Sequence, residues 1–107
     1  MTRRHKYGAI ATVTPDGIKH PSKRQAKRWE ELKLLERAGE IVNLRREVPF
    51  KLEINGELIC TYRADHTYDW KHGGGSVVED SKGMATDVFR IKAKLMKAIH
   101  GIEVKTC

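Results

Sequence analysis

Cysteine is scarce in this chain: the two residues present, Cys60 inside a strand pattern and Cys107 at the last position, have neither metal-ligand spacing nor the density of a disulfide framework. A cysteine zinc site is thereby excluded and a reduced compartment is expected. The five histidines, His5, His20, His66, His72 and His100, are too scattered to offer a zinc set by spacing. No apolar run approaches membrane-spanning length, and Met1-Thr2-Arg3-Arg4-His5-Lys6 lacks the apolar stretch that a secretory signal needs. A cytoplasmic protein without a membrane partner is expected, in the host-cell cytoplasm if the chain is phage-encoded. His72-Gly73-Gly74-Gly75 is similar to a lipase oxyanion loop, but no Gly-x-Ser-x-Gly elbow accompanies it, so it reads as a flexible loop. No repeat or linker divides the 107 residues, which form one small domain with a modest core.

What the chain has in excess is positive charge, +7 formally. The cations cluster at Arg3 to Lys6, Lys19 to Arg28, Arg45 to Arg46 and Lys92 to Lys97, whereas the acids concentrate between Glu53 and Asp87. A cationic rim around an acidic centre suits a polyanion gripped by its phosphates, which points to DNA. A merely solubilising surface is the plainer alternative. Lys23 on the first helix and Arg63 beside Asp65 are candidate phosphate contacts.

The first twenty residues read as a basic arm or ribbon, with turn chemistry at Thr14-Pro15-Asp16-Gly17. Ser22 begins a helix that Gly39 closes, with Ala26, Trp29, Leu32 and Leu35 as its buried stripe. A connection over 40–47 leads to a strand from Pro49 to Ile54. Asn55-Gly56 is a two-residue hairpin turn, and the return strand runs from Glu57 to about Tyr68. Along it Leu58, Cys60, Tyr62, Ala64, His66 and Tyr68 share one face, and Asp65 points to the other. Ser76 to Asp80 forms a further strand before a turn at Lys82-Gly83. A second helix from about Thr86, ended by Gly101, carries Val88, Ile91, Leu95 and Ile99 as its apolar stripe, and Ile102 to Lys105 reads as a last strand. Trp29 is expected in the core; Tyr68 and Trp70 pack or stack on an unpaired base.

Magnesium takes oxygen ligands, commonly one or two carboxylates with water and substrate phosphate. Asp65 and Asp80 supply such a pair if their strands are neighbours, and the Asp-x-Lys spacing brings Lys82 to the same strand end as Asp80, with Ser81 between them as a further candidate metal ligand. There Lys82 would orient or help deprotonate a water and offset charge developing on a phosphodiester. Glu79 alternates to the opposite face. The plainer reading of Asp80 and Lys82 is a turn with a solvated ion pair worth little.

Asp16-Gly17-Ile18, Ser22-Lys23, the run Glu31 to Ile41, Tyr62-Arg63-Ala64-Asp65, Val77-Val78-Glu79-Asp80-Ser81-Lys82-Gly83, Thr86 and Lys92-Ala93-Lys94-Leu95-Met96 together carry a resemblance. From about Tyr7 onward the chain resembles the PD-(D/E)XK nuclease superfamily. More closely it is similar to a small phage and prophage family of that superfamily, catalogued as a domain of unknown function and described as endonuclease-like or Holliday-junction-resolvase-like. The resemblance implies an α/β fold with a restriction-endonuclease-like core, a mixed sheet flanked by helices in the order α-β-β-β-α-β. It makes Asp65 and Asp80 the motif acids, Lys82 the motif lysine, Mg²⁺ or Mn²⁺ the cofactor, and Lys92 and Lys94 phosphate contacts. The motif proline is Ala64 here, and Gln25 stands where the family pattern has a glutamate reaching the metal, a change from an anionic ligand to an amide that orients a ligand or water. Ser22-x-x-Gln25 also fits a capping box. Glu30, one turn on, is a substitute acid.

The expectation is therefore an endonuclease hydrolysing DNA phosphodiesters, selective for branched or four-way junctions if the analogy extends so far, and then a homodimer. The competing expectation is a non-catalytic DNA-binding or assembly factor that retains the fold. An RNA-directed nuclease would differ only in substrate.

Overall fold

The helix that begins after Ser22 does so because the serine side chain is free to cap it. Ser22 is extended, and its hydroxyl accepts the Gln25 amide at 3.1 Å, satisfying one of the orphan donors of the first turn. The Gln25 side chain does not complete a capping box; it turns to Glu47 instead. Ala38 and Gly39, the latter with φ of +79°, end the helix.

The computed structural model describes residues 10–82 and 85–107. Its elements, in chain order, are β1 (Thr12–Val13), β2 (Lys19–His20), α1 (Lys23–Arg37), β3 (Ile41–Ile54), β4 (Glu57–Trp70), β5 (Ser76–Asp80), α2 (Asp87–His100) and β6 (Lys105–Thr106). Strands β1 and β2 form a separate ribbon. The other four make a mixed sheet in the order β3-β4-β5-β6, with β6 parallel to β5 and the remaining pairs antiparallel. This is the expected α-β-β-β-α-β order with flanking helices. The basic cluster Arg3 to Lys6 and the turn residue Gly83 lie outside the described residues.

Three expectations are corrected. The stretch 40–47 is strand from Ile41, not a connection. Its alternation is broken by Asn43 and Glu47, both at positive φ (56° and 55°), and by a register shift between Val42 and Arg45, which hide the strand from a period-two reading. The last strand is confined to Lys105–Thr106, not Ile102 onward. On α2 the stripe is rotated: Val88 and Ile91 are 62% and 59% exposed, while Met96 is fully buried and Phe89, Leu95 and Ile99 pack behind it. The bulkier Phe89 takes the inward position, against Tyr62.

Two apolar clusters hold the sheet to its helices. Leu52, Tyr62, Ala64, Val78 and Met96 form one beneath α2, and Leu32, Ile41, Tyr68 and Val77 form the other beneath α1. Residues of one parity along β4 thus serve both helices, Tyr62 and Ala64 one of them and Tyr68 the other. Leu58, expected on that inner face, lies 52% exposed near the hairpin tip. The tip itself is a two-residue turn with Asn55 and Gly56 at φ of 53° and 78°, the conformation that matches the twist of a long hairpin.

The ribbon is tied to α1 rather than standing off as an arm. Trp29 Nε1 donates to Asp16 Oδ2 at 2.7 Å, and the Thr14 hydroxyl donates to the other oxygen of the same carboxylate. These two donors, the hydroxyl foremost, hold the Asp16 carboxyl down at about 2.

Candidate active site

The antiparallel register that pairs His66 with Glu79 carries Asp65 and Asp80 to adjacent positions at the end of β5. There the main chain and the two carboxylates bind each other reciprocally. Asp80 Oδ1 accepts the Asp65 amide at 3.2 Å, and Asp65 Oδ2 accepts the Ser81 amide at 2.8 Å. The Tyr62 hydroxyl donates to Asp80 Oδ2. Asp80 is 1% exposed, so of the two acids Asp65 is the more open.

Burial, and then the charge of Asp80, push the Asp65 carboxyl up to about 7; Lys82 acts against that shift. Tyr62, buried and donating to a carboxylate, has its phenol pushed well above the usual range. Two hard oxygen acids that repel each other at close quarters form a donor set that a divalent cation would neutralise. Among the described residues no cluster of three or more His, Cys, Asp or Glu side chains stands at metal-ligand spacing. The chain would thus furnish two carboxylates and leave the other positions to water and phosphate, as magnesium sites commonly do.

Lys82 follows β5, and its amine lies 4.8 Å over the Phe89 ring. It makes no ion pair with Asp65 or Asp80 among the described residues, so the plainer alternative of a solvated Asp80–Lys82 pair is not what forms. Ser81 contributes its amide to Asp65, and its hydroxyl sits 3.6 Å from Cys107 Sγ. Gln25 is buried on α1, its amide donating to Glu47 Oε1 at 3.5 Å, and no hydrogen bond joins it to either aspartate. Glu30 is exposed. Beside the acid pair opens a cleft of about 410 Å³ whose walls include Tyr62, Arg63, Lys82, Phe89 and Lys92. Lys92 Nζ donates to the Thr61 carbonyl at 3.0 Å; Lys94, Lys23 and Arg63 are exposed, and Lys94 and Lys23 lie outside this cleft.

Behind the pair, on the α1 side, lies a network that the sequence pattern did not reveal. Arg28 grips Glu79 through Nε at 2.7 Å and Nη2 at 3.1 Å, and the Tyr68 hydroxyl donates to the same carboxylate at 3.1 Å. His66 stacks on Trp29 with ring centroids 5.9 Å apart, and both of its ring nitrogens are buried without a hydrogen-bond partner. Desolvation holds this imidazole down at about 4, hence neutral. Glu79 is the better half of a clue here: an acid between Val78 and Asp80 in a strand buried on both faces needs a cation, and the basic face of α1 supplies it.

The raised acid and the lowered imidazole act on stability in opposite directions. Between pH 3.8, the ordinary value for Asp65, and about 7, the folded chain binds the extra proton, so stability falls as pH rises. Between about 4 and His66's ordinary 6.5, the unfolded chain binds the extra proton, so stability rises with pH. The two slopes oppose each other across that window. Urea midpoints measured through it are expected to show a steeper rise with pH in Asp65→Asn and a fall in His66→Phe. Parallel profiles for wild type and both variants would refute these assignments.

A family model described as "Protein of unknown function (DUF1064)" matches residues 4–106. The chain belongs to the DUF1064 family. No curated protein and no solved structure matches it. Nearly the whole chain falls within this family's span, from before the β1–β2 ribbon to β6, so the acid pair, the cleft and the Arg28–Glu79 network are all built from the family's own domain.

Proposed function

We propose that the protein is a divalent-cation-dependent endodeoxyribonuclease of PD-(D/E)XK type. The observation that carries this reading is the Asp65–Asp80 carboxylate pair, drawn together across β4 and β5 beside a cleft lined by Arg63, Lys82 and Lys92. Asp65 and Asp80 would hold Mg²⁺ or Mn²⁺, which when bound lowers the pKa of water and offsets charge on a phosphoryl oxygen. Asp80, fixed by Tyr62 and by the Asp65 amide, keeps the site in shape. Asp65, the more open acid, meets the solvent side. Lys82, released from Phe89, places a proton donor and a positive charge beside the scissile phosphate, and Arg63 and Lys92 bind the flanking backbone. Gln25 bonds Glu47 and neither aspartate, so it takes no direct part in holding the cation.

Cleavage of supercoiled plasmid, single-stranded DNA and a four-way junction, with Mg²⁺, Mn²⁺ or chelator, tests the reading. Cutting that needs the metal supports it, and the best substrate names the selectivity. A second reading, a DNA-binding factor with a decayed site, draws on the amide at Gln25 and would give salt-sensitive binding without cutting under any metal. Junction resolution also calls for two symmetric cuts and hence a homodimer; light scattering that finds a monomer both with and without junction DNA would remove that part of the proposal. No helix among the described residues is long and apolar enough to cross a membrane.

A further inference from the structure

A second cleft, of about 360 Å³, borders the acid pair through Ser81 and is lined by Arg24, Lys27, Arg28, Glu31, Ser81 and Cys107. Arg28 is committed to Glu79 and Glu31, which leaves Arg24 and Lys27, both exposed, as its available cations. Arg24 donates to the Cys107 carbonyl at 3.4 Å, and neither Arg24 nor Lys27 has an ion pair among the described residues. The first cleft carries Arg63, Lys82 and Lys92 and no acid. The two linings meet at Ser81 and Lys82, consecutive residues, and the Ser81 amide is the donor to Asp65. The acid pair therefore sits on the ridge between two cationic clefts.

We infer that one nucleic-acid strand runs through both clefts, its phosphates held by Arg24 and Lys27 on one side of the ridge and by Arg63 and Lys92 on the other. This rests on the nuclease reading above and deepens it, since it makes the substrate a strand gripped in its interior rather than at an end. The two linings share a border at Ser81 and Lys82, so the backbone of one strand can pass from one cleft to the other over the Asp65–Asp80 pair. Neither cleft offers a free aromatic ring for a base, since Tyr62 is buried and Phe89 lies under Lys82, so the grip is on the backbone and tolerant of sequence.

The test is fluorescence-anisotropy binding of oligothymidylates of graded length, and of circular single-stranded DNA, in chelator so that nothing is cut. Wild type is compared with the pair Arg24→Ala/Lys27→Ala and the pair Arg63→Ala/Lys92→Ala over a salt series. Each pair should lower the slope of log K against log salt by about 1.4, two phosphates at ~0.7 each on a single strand. The Arg24/Lys27 loss should appear only on oligomers long enough to cross the ridge, and circles should bind as well as linear strands. A wild-type slope for Arg24→Ala/Lys27→Ala at every length, with a reduced slope for the other pair, overturns the track and leaves the nuclease reading standing. Failure of circles to compete with linear strands also overturns it. Wild-type protein that binds no DNA at any salt overturns both.

Discussion

Asp80→Asn should leave a protein that is inactive yet no less stable than wild type. The amide can turn its oxygen to the Asp65 N–H and its nitrogen to the Tyr62 oxygen, so both present partners of Asp80 are kept and the fold has no reason to fail. What is lost is one of two negative charges available to a cation, and cleavage should fall on the order of 10³-fold, about 4 kcal/mol of transition-state stabilisation. Because the charge of Asp80 is among the causes that raise Asp65 towards 7, its removal should make Asp65 ionise more easily and relieve repulsion at neutral pH. The thermal midpoint at pH 7 should therefore hold or rise. Lys82→Ala should lower cleavage by about 10²–10³-fold while DNA affinity changes little, as expected for a group that acts mainly on developing charge. Metal-dependent cutting that survives both substitutions would remove the site from these residues, and a large drop in the midpoint of Asp80→Asn would make the carboxylate a structural group.

Glu79→Ala should produce the largest loss of stability of any single substitution at the site. Its carboxylate is 2% exposed and satisfies Arg28 and Tyr68 at once, so truncation leaves the Tyr68 hydroxyl without its acceptor and Arg28 with Glu31 alone, beside the already unpartnered His66. Breaking a buried pair by removing one partner costs about 3–5 kcal/mol, a large part of the ~5–15 kcal/mol that holds a small domain together. Urea unfolding measures it directly. The double substitution Arg28→Met/Glu79→Leu removes both charges and should recover most of the loss, because an apolar pair needs no compensation. A cost under about 1 kcal/mol for Glu79→Ala would mean that the pair behaves as a solvated surface bridge.

The parts of this fold that were legible in the sequence are those fixed by local chemistry. Ser22, Gly39, Thr86 and Gly101 mark helix ends because each satisfies or permits a backbone geometry that few other residues can, and Asn55-Gly56 marks the hairpin for the same reason. The neighbourhood of Asp65 and Asp80 hung on β5 lying beside β4, which the register supplies. What escaped was decided at longer range. Residues Asn43 to Glu47 carry charges and left-handed turns that mask a strand held by its partner β4 rather than by its own propensity. The orientation of α2 was settled by the volumes of Phe89 and Met96 against Tyr62 and Leu52, and period alone cannot rank Phe89 above Val88. Glu79 looked like a spare acid because its cation comes from a helix, 51 residues earlier in the chain.

The outermost strand of the sheet, β3, is fourteen residues long and pairs with no strand on its far side among the described residues. A bare edge of that length is ordinarily a template on which other chains can assemble into extended sheets. The two left-handed residues and the register shift interrupt the row of donors and acceptors, Pro49 removes one N–H altogether, and Arg45 and Lys51 place exposed charge along it. The irregularities that hide β3 from a pattern reader therefore also hide it from other polypeptides, and keep so strand-rich a small protein from aggregating along its own rim.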